Sequence, residues 1–120
     1  MSEQDLRKTM VNILDQYFEG IFNNETETIP LSDSVTFKSP LVSEVLSGKH
    51  DVLAFLTDVA ASFSNAQYHT VRDIIDGEHV FSLVQVRLSG GQIVDMGHVF
   101  EISDEAIQSI QVLFDPSLIK

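Results

Sequence analysis

The sequence predicts an α+β fold in which N-terminal helices cover one face of a curved antiparallel sheet. In the first half of the chain, apolar residues recur at steps of three and four, the period of helices buried on one side. The second half contains segments rich in valine, isoleucine and phenylalanine, separated by turn residues. Helices followed by an antiparallel meander are typical of this class. Since no linker or repeat interrupts residues 1–120, we expect a single domain.

The first helix is predicted over residues 3–23. Ser2 is a suitable N-cap, and Glu3 and Asp5 place negative charge in the first turn, where it suits the helix dipole. Asn23-Asn24 is a reasonable end. The wide apolar face consists of Leu6, Met10, Ile13, Leu14, Tyr17, Phe18, Ile21 and Phe22.

A short strand and a second helix follow. Residues 25–33 are mostly polar and predict a short helical turn or loop, and residues 34–38 predict a strand. Ser39-Pro40 ends this strand or lies at an edge, because proline cannot donate to a β-ladder. The second helix is predicted from about residue 49 to residue 64. Its buried stripe is Val52, Phe55, Leu56, Val59 and Phe63.

The last half of the chain predicts an antiparallel meander of four strands. Asp76-Gly77 and Gly90-Gly91 are strong hairpin signals, whereas Asp104-Glu105 is weaker because neither residue favours a positive φ. The strands are expected at Gln67–Asp76, Glu78–Ser89, Gln92–Ser103 and Ala106–Phe114.

The charge of the chain argues against two classes of partner. There are 18 acidic and 7 basic residues, which give a formal net charge of −11. Nucleic-acid binding draws most of its affinity from clustered lysine and arginine, and the basic residues here are scattered. An anionic membrane surface would be repelled for the same reason. We therefore expect neither a nucleic acid nor a membrane as partner.

The residue types also limit the chemistry. There is no cysteine, which removes thiol catalysis and cysteine-ligated metals. The four histidines show no metal-binding spacing, and no phosphate-binding glycine motif or nucleophile elbow occurs. We therefore expect no metal and no cofactor. The start, MSEQDLRKTM, lacks the order of a signal peptide, so we expect a cytoplasmic location.

One predicted strand face combines apolar residues with a histidine. Alternation along residues 92–102 puts His98 on the same face as Val94, Met96, Phe100 and Ile102. Two interpretations stay open: a core histidine satisfied by a nearby acceptor or hydroxyl, or a polar group that points into a pocket.

Tyr17 and the three other histidines are the remaining candidate polar groups. Tyr17 lies on the apolar face of the first helix, and its hydroxyl needs a partner if buried; His98 is the best candidate. We expect His50, His69 and His79 to be structural or exposed.

The order of elements resembles the nuclear transport factor 2-like (NTF2-like) superfamily, which includes SnoaL-like polyketide cyclases and ketosteroid isomerases. The resemblance spans essentially the whole chain and implies a cone-shaped α+β barrel. It also implies a homodimer packed through the outer sheet faces. The segments that carry it are ILDQYFEGIFNNE, VTFKSPLV, SGKHDVLAFL and DMGHVFEISDEAIQSIQVLFDP.

Comparison with ketosteroid isomerases makes steroid isomerisation improbable. Their oxyanion-hole tyrosine falls on Tyr17, but their general-base aspartate falls on Ser39 and their second oxyanion donor on His98. Their two supporting tyrosines fall on Leu31 and Leu56. One position of the five is kept, and the base is missing.

Two hypotheses of function follow. The first is an isomerase, cyclase or dehydratase that acts on a small hydrophobic carbonyl compound, with Tyr17 and His98 as catalytic residues. The second is a non-catalytic ligand binder or a dimeric interaction module. The sequence leaves open whether Asp115 reaches the pocket. In either case we expect the ligand to contact Ser39, Leu56, Met96 and Phe100.

Overall fold

The first helix has the bounds expected from its capping residues. A computed structural model describes residues 2–63 and 65–118. In it, α1 spans Glu3–Phe22. The Ser2 hydroxyl accepts a hydrogen bond from the backbone N–H of Asp5 at 3.2 Å, which confirms the predicted N-cap. One face of α1, from Met10 to Ile21, is buried against the sheet.

The connection after α1 contributes more strand than the sequence predicted. A short 3-10 turn spans Thr26–Thr28, and β1 spans Leu31–Lys38, beginning three residues earlier than expected. β1 ends before Ser39-Pro40, as predicted. The two-residue strand β2 follows at Leu46–Ser47.

The second helix and the meander agree closely with the sequence. α2 spans Lys49–Ser62; its predicted end at Ser64 lies outside the described residues. The meander consists of β3 at Gln67–Asp76, β4 at His79–Arg87, β5 at Ile93–Ser103 and β6 at Ala106–Leu113.

The six strands form one curved, unclosed sheet with two helices packed on it. Their order is β2-β1-β6-β5-β4-β3, and all neighbours are antiparallel except β1 and β6, which are parallel. The sheet is therefore mixed rather than wholly antiparallel. Two parallel strands need a long crossover, and here α2 and the first three strands of the meander provide it.

The turn between β5 and β6 has an unfavourable backbone conformation. Asp104 has a φ of 53° and Glu105 a φ of 58°, so two non-glycine residues occupy the left-handed region. A two-residue hairpin of this kind matches the twist of the strands and prefers glycine at its second position. The sequence signal was weak because Asp104-Glu105 lacks that glycine, yet strand pairing on both sides imposes the turn.

We expect Glu105→Gly to stabilise the protein by about 1 kcal/mol, because glycine adopts a positive φ without a steric penalty. Chemical denaturation followed by circular dichroism measures this change. Glu78→Gly is the matched control: Glu78 is an exposed glutamate in the β3–β4 turn, and it is Gly77 beside it that has the positive φ. Equal stabilisation by both substitutions would show that the effect comes from lost charge.

A β-bulge in β3 changes which of its side chains face the helices. The pairing of β3 with β4 shifts between Thr70 and Arg72, so that Val71 is an extra residue. Tyr68 and Thr70 are half-buried before the bulge, and Asp73 is half-buried after it. The extra residue therefore brings Asp73 onto the inner face of the sheet, where plain alternation from Tyr68 would have put it outside.

The inner face of the sheet and the two helices enclose the core. Residues such as Val35, Val84, Val94 and Ile107 are fully buried there. Within the described part of the chain, no helix is both long and apolar enough to cross a membrane.

Candidate functional site

A small cavity lies between α1, α2 and the inner face of the sheet. Its volume is about 50 Å³, and side chains from both helices and from β4, β5 and β6 surround it. Apolar and aromatic residues dominate the lining. The residues are Tyr17, Phe18, Ile21, Phe22, Phe37, Ser39, Leu41, Phe55, Leu56, Val59, Phe63, Val86, Met96, His98, Val112 and Phe114.

The polar side chains in this lining are Tyr17, Ser39 and His98, and none of the lining residues carries an acidic or a permanently charged group. Ser39 is buried, and its hydroxyl oxygen accepts a hydrogen bond from the backbone N–H of Leu41 at 3.1 Å. This contact holds Ser39 in place after β1. Among the described residues the hydroxyl hydrogen of Ser39 remains free, so Tyr17, Ser39 and His98 each have a polar atom to offer a ligand.

His98 is a buried imidazole with an unsatisfied nitrogen. Its side chain is 6% exposed, and Nδ1 has no hydrogen-bond partner among the described residues. Aromatic rings surround it: Phe18 meets it edge-on at 5.0 Å between centroids, and Phe100 stacks on it at 6.0 Å. Burial lowers the pKa of His98 from 6.5 to about 4, and the main chain of Ser82 and Met96 offsets only part of this. The ring is therefore uncharged at neutral pH.

Tyr17 keeps its proton in this environment. Its side chain is 4% exposed, and burial raises the pKa of its hydroxyl well above the usual value of 10.0. The ring lies 6.1 Å from that of His98 between centroids, at 70°. The two rings share the cavity, but no hydrogen bond joins them, so the expectation that His98 satisfies the Tyr17 hydroxyl is wrong in this structure. Both groups are left free to contact a bound molecule.

The residues predicted to contact a ligand divide into two groups. Ser39, Leu56 and Met96 line the cavity. Phe100 does not, because its fully buried ring lies behind Tyr17, 5.1 Å away between centroids. Asp115 does not reach the cavity either: it is exposed, and its carboxylate accepts hydrogen bonds from the backbone and hydroxyl of Ser117.

An aromatic mouth is the feature that sequence reasoning missed. We use this name for Phe22, Phe55, Phe63 and Phe114, which are half-buried and line the cavity. Phe22 and Phe63 stack with their planes 3° apart and their centroids 5.7 Å apart. Three of the four lie in or next to the apolar stripes of the two helices, so the helical period alone could not distinguish them from core residues.

The other histidines and the other surface clefts add no chemistry. His50, His69 and His79 are exposed, and the described residues contain no group of three or more metal-ligating side chains. Wider clefts of about 310 and 320 Å³ border α1 near Leu6. Within the described residues, the buried side-chain atom without a partner is Nδ1 of His98, beside the smaller cavity.

We expect the protein to lose stability as the pH falls from about 6.5 to about 4. The pKa of His98 is lower in the folded protein than in the unfolded chain, so the unfolded chain takes up the proton first. The free energy of unfolding is unaffected by this difference above about pH 6.5, and at acid pH it falls by at most about 3 kcal/mol. Urea denaturation at pH 7.5 and 4.5 measures it. The loss should be smaller in His98→Leu, and an equal loss in both proteins would contradict the assignment to His98.

Comparisons with known proteins extend this description. A family model described as "Domain of unknown function (DUF4904)" matches residues 5–120. No curated protein sequence matches the chain.

Solved structures match over nearly the whole chain. A candidate SnoaL-like polyketide cyclase from Jannaschia sp. CCS1 has a TM-score of 0.80 at 11% identity, covering 99% of this chain and 94% of that one. A candidate ketosteroid isomerase from Kribbella flavida DSM 17836 has a TM-score of 0.74 at 19% identity, covering 90% and 78%. An NTF2-like protein of unknown function from Cytophaga hutchinsonii ATCC 33406 has a TM-score of 0.71 at 14% identity, covering 88% of each chain. These likenesses establish the NTF2-like fold and leave the activity open.

Proposed function

The chain belongs to the family described as Domain of unknown function (DUF4904), and we propose that it is an enzyme of isomerase, cyclase or dehydratase type that acts on a small hydrophobic carbonyl compound. One observation carries the proposal. A protonated hydroxyl on Tyr17 and an uncharged imidazole on His98 meet in a cavity that is otherwise almost wholly apolar. A hydroxyl donor beside an unprotonated imidazole can assist removal of a proton next to a carbonyl group. Because burial holds the pKa of His98 at about 4, the imidazole is a weak base, and most of the assistance comes from the hydrogen bond of Tyr17 to the developing oxyanion.

In the proposed step, Tyr17 donates a hydrogen bond to the carbonyl oxygen. His98 takes a proton from the neighbouring carbon, and the electron pair of the broken C–H bond forms the C=C bond of an enolate. The negative charge that develops on oxygen is stabilised by the Tyr17 hydroxyl, and the imidazolium returns the proton to the same or another carbon. The low dielectric of the cavity strengthens the contact to oxygen.

The size of the cavity limits the substrate. A volume of about 50 Å³ has room for a compact molecule about the size of a few waters, since about 10–15 Å³ on this measure is enough for one water. A larger substrate would have to displace the rings of the aromatic mouth. Steroid isomerisation is not proposed, because the resemblance puts Ser39 at the position of the ketosteroid-isomerase base, and a serine hydroxyl cannot take a proton from carbon unaided.

Deuterium exchange tests the proposal without a known substrate. Small ketones such as butanone or cyclopentanone are incubated with the protein in D₂O, and incorporation next to the carbonyl is followed by NMR. We expect catalysed exchange that falls in both Tyr17→Phe and His98→Gln. Exchange no faster than in buffer across a panel of ketones, or an unchanged rate in both variants, would refute the proposal.

A non-catalytic binder is the second candidate, and the lining favours it in one respect: none of its residues supplies a carboxylate base. A binder would be stabilised by apolar ligands, because a ligand of the native state raises the free energy of unfolding. Thermal denaturation with matched ketones and hydrocarbons tests this. Stabilisation by the ketones without any proton exchange would favour the binder over the enzyme.

We also propose a homodimer that packs through the outer sheet face. Exposed or half-buried apolar side chains on this face support it, among them Ile74, Phe81, Leu83, Val99 and Leu113. Val99→Glu should then shift the mass in solution from twice the 13.4 kDa of the chain to the monomer value. Val45→Glu is the control, since Val45 is exposed but lies before β2. A monomeric wild-type protein would refute the dimer. The cytoplasmic location stays a prediction.

A further inference from the structure

A row of three polar side chains crosses the inner face of the sheet. Asp73 on β3 pairs with Ser82 on β4, and Ser82 pairs with His98 on β5. Side chains of paired residues lie about 4.5–5.5 Å apart at Cβ, so the three are direct neighbours. The row begins at half-buried Asp73, passes through fully buried Ser82 and ends at His98 in the lining of the cavity.

The direction of the first hydrogen bond in the row is determined. The Ser82 hydroxyl donates to Oδ1 of Asp73 at 2.7 Å, so its one hydrogen cannot also be donated to His98. Its oxygen keeps lone pairs, so toward His98 it can only accept. The β-bulge at Val71 makes this arrangement, because it turns Asp73 onto the inner face beside Ser82.

Nδ1 of His98 is the polar atom that lacks a partner. It is buried and makes no hydrogen bond among the described residues. The Ser82 hydroxyl oxygen makes no hydrogen bond to Nδ1 in the conformation seen, but rotation of the imidazole about its last side-chain bond is soft and would bring the two together. The main chain of Ser82 and Met96 also favours a hydrogen on the ring, so the side chain of Ser82 adds to that preference. A bare Nδ1 lone pair beside an acceptor would gain nothing, whereas an N–H there could be satisfied.

We infer that Asp73 and Ser82 are positioning residues, which hold a hydrogen on Nδ1 of His98 so that Nε2 presents its lone pair to the cavity. Nε2 is then the acceptor in the cavity and the Tyr17 hydroxyl is the donor. The ligand class follows: an uncharged molecule with one hydrogen-bond acceptor and, beside it, a hydroxyl or an acidic C–H. This inference rests on the proposed function for the cavity being a ligand site, but its test needs no ligand.

The tautomer of His98 can be read directly. In protein labelled with ¹⁵N at histidine, long-range ¹H–¹⁵N spectra at neutral pH distinguish a hydrogen on Nδ1 from one on Nε2. The His98 signals are assigned by their loss in His98→Gln. We expect the wild-type protein to carry the hydrogen on Nδ1.

Two substitutions then test the row. In Asp73→Ala the Ser82 hydroxyl loses its acceptor and turns to donate to Nδ1, so we expect the hydrogen to move to Nε2. In Ser82→Ala the acceptor disappears, and we expect a mixture of the two tautomers. Asp95→Ala is the control, because Asp95 is an exposed aspartate on the strand of His98 and should leave the tautomer unchanged.

Either of two results would overturn the inference: a wild-type hydrogen on Nε2, or a hydrogen that stays on Nδ1 in both Asp73→Ala and Ser82→Ala. Asp73 is half-buried, so its alanine variant can be read even if Ser82→Ala fails to fold. The result is independent of the proposed function. Catalysed deuterium exchange together with a hydrogen on Nε2 would support the enzyme and refute the positioning role of Asp73 and Ser82. A hydrogen on Nδ1 without catalysed exchange would support the positioning role and refute the enzyme.

Discussion

Replacing His98 by leucine is expected to lower the rate of deuterium exchange by about 10²-fold, the lower end of the usual contribution of a positioned base, because a pKa of about 4 makes the imidazole a weak base at neutral pH. The same variant is expected to be more stable at neutral pH, by about 1 kcal/mol, because burying a polar imidazole among apolar rings costs more than its contacts with the main chain return. Leucine has a similar volume and suits the rings of Phe18 and Phe100 around it. Ser82 keeps its bond to Asp73, so no new polar atom is left unsatisfied.

Opposite signs for activity and stability would mark His98 as a functional residue rather than a structural one. Exchange kinetics and chemical denaturation on the same preparation measure both. His69→Leu is the control for the chemical change, since His69 is exposed on β3 and should alter neither quantity strongly. A His98→Leu protein that is less stable and equally active would restore the interpretation of His98 as a satisfied core histidine.

The fold could be predicted from the sequence because its strongest signals are local. The helical period over α1 and the alternation along β5 each reflect burial of one side of a regular element. The same alternation found the face that carries Met96, His98 and Phe100. The family-like order of segments added the overall arrangement, which the solved structures bear out.

Knowing that a residue lies on the inner face of the sheet was not enough to predict whether it lines the cavity. Met96 and Phe100 face the same side of β5, but only Met96 lines the cavity; the fully buried ring of Phe100 packs edge-on against the ring of Tyr17 from α1. That difference arises from the packing of one element on another. The parallel pairing of β1 with β6 was beyond the sequence for the same reason, since it joins strands far apart in the chain.

The bulge in β3 is the clearest case of a feature that alternation misses. Counting by twos from Tyr68 puts Asp73 on the outer face, and the extra residue Val71 reverses this. No residue type in β3 predicts a bulge at this position. The acidic end of the row behind His98 could therefore be recognised only from the strand register.

Phe100→Ala is expected to be the most destabilising of the substitutions considered, by about 3–5 kcal/mol. The Phe100 ring is 0% exposed and contacts the rings of Tyr17, Phe18 and His98. Removing it takes away buried apolar surface and leaves a void that the rigid sheet cannot close. Against a total stability of roughly 5–15 kcal/mol for a domain, this is a large share. Urea denaturation measures the loss.

Phe55→Ala is the matched comparison, because Phe55 is half-buried and belongs to the aromatic mouth. We expect a smaller loss of stability there, together with exchange or binding of ketones too large for the wild-type cavity. Phe100→Leu keeps most of the apolar volume and should leave ligand preference unchanged, since Phe100 does not touch the cavity. A change of ligand preference in Phe100→Leu as large as in Phe55→Ala would return Phe100 to the ligand-binding role that the sequence predicted, and would show that the cavity extends behind Tyr17 when a ligand binds.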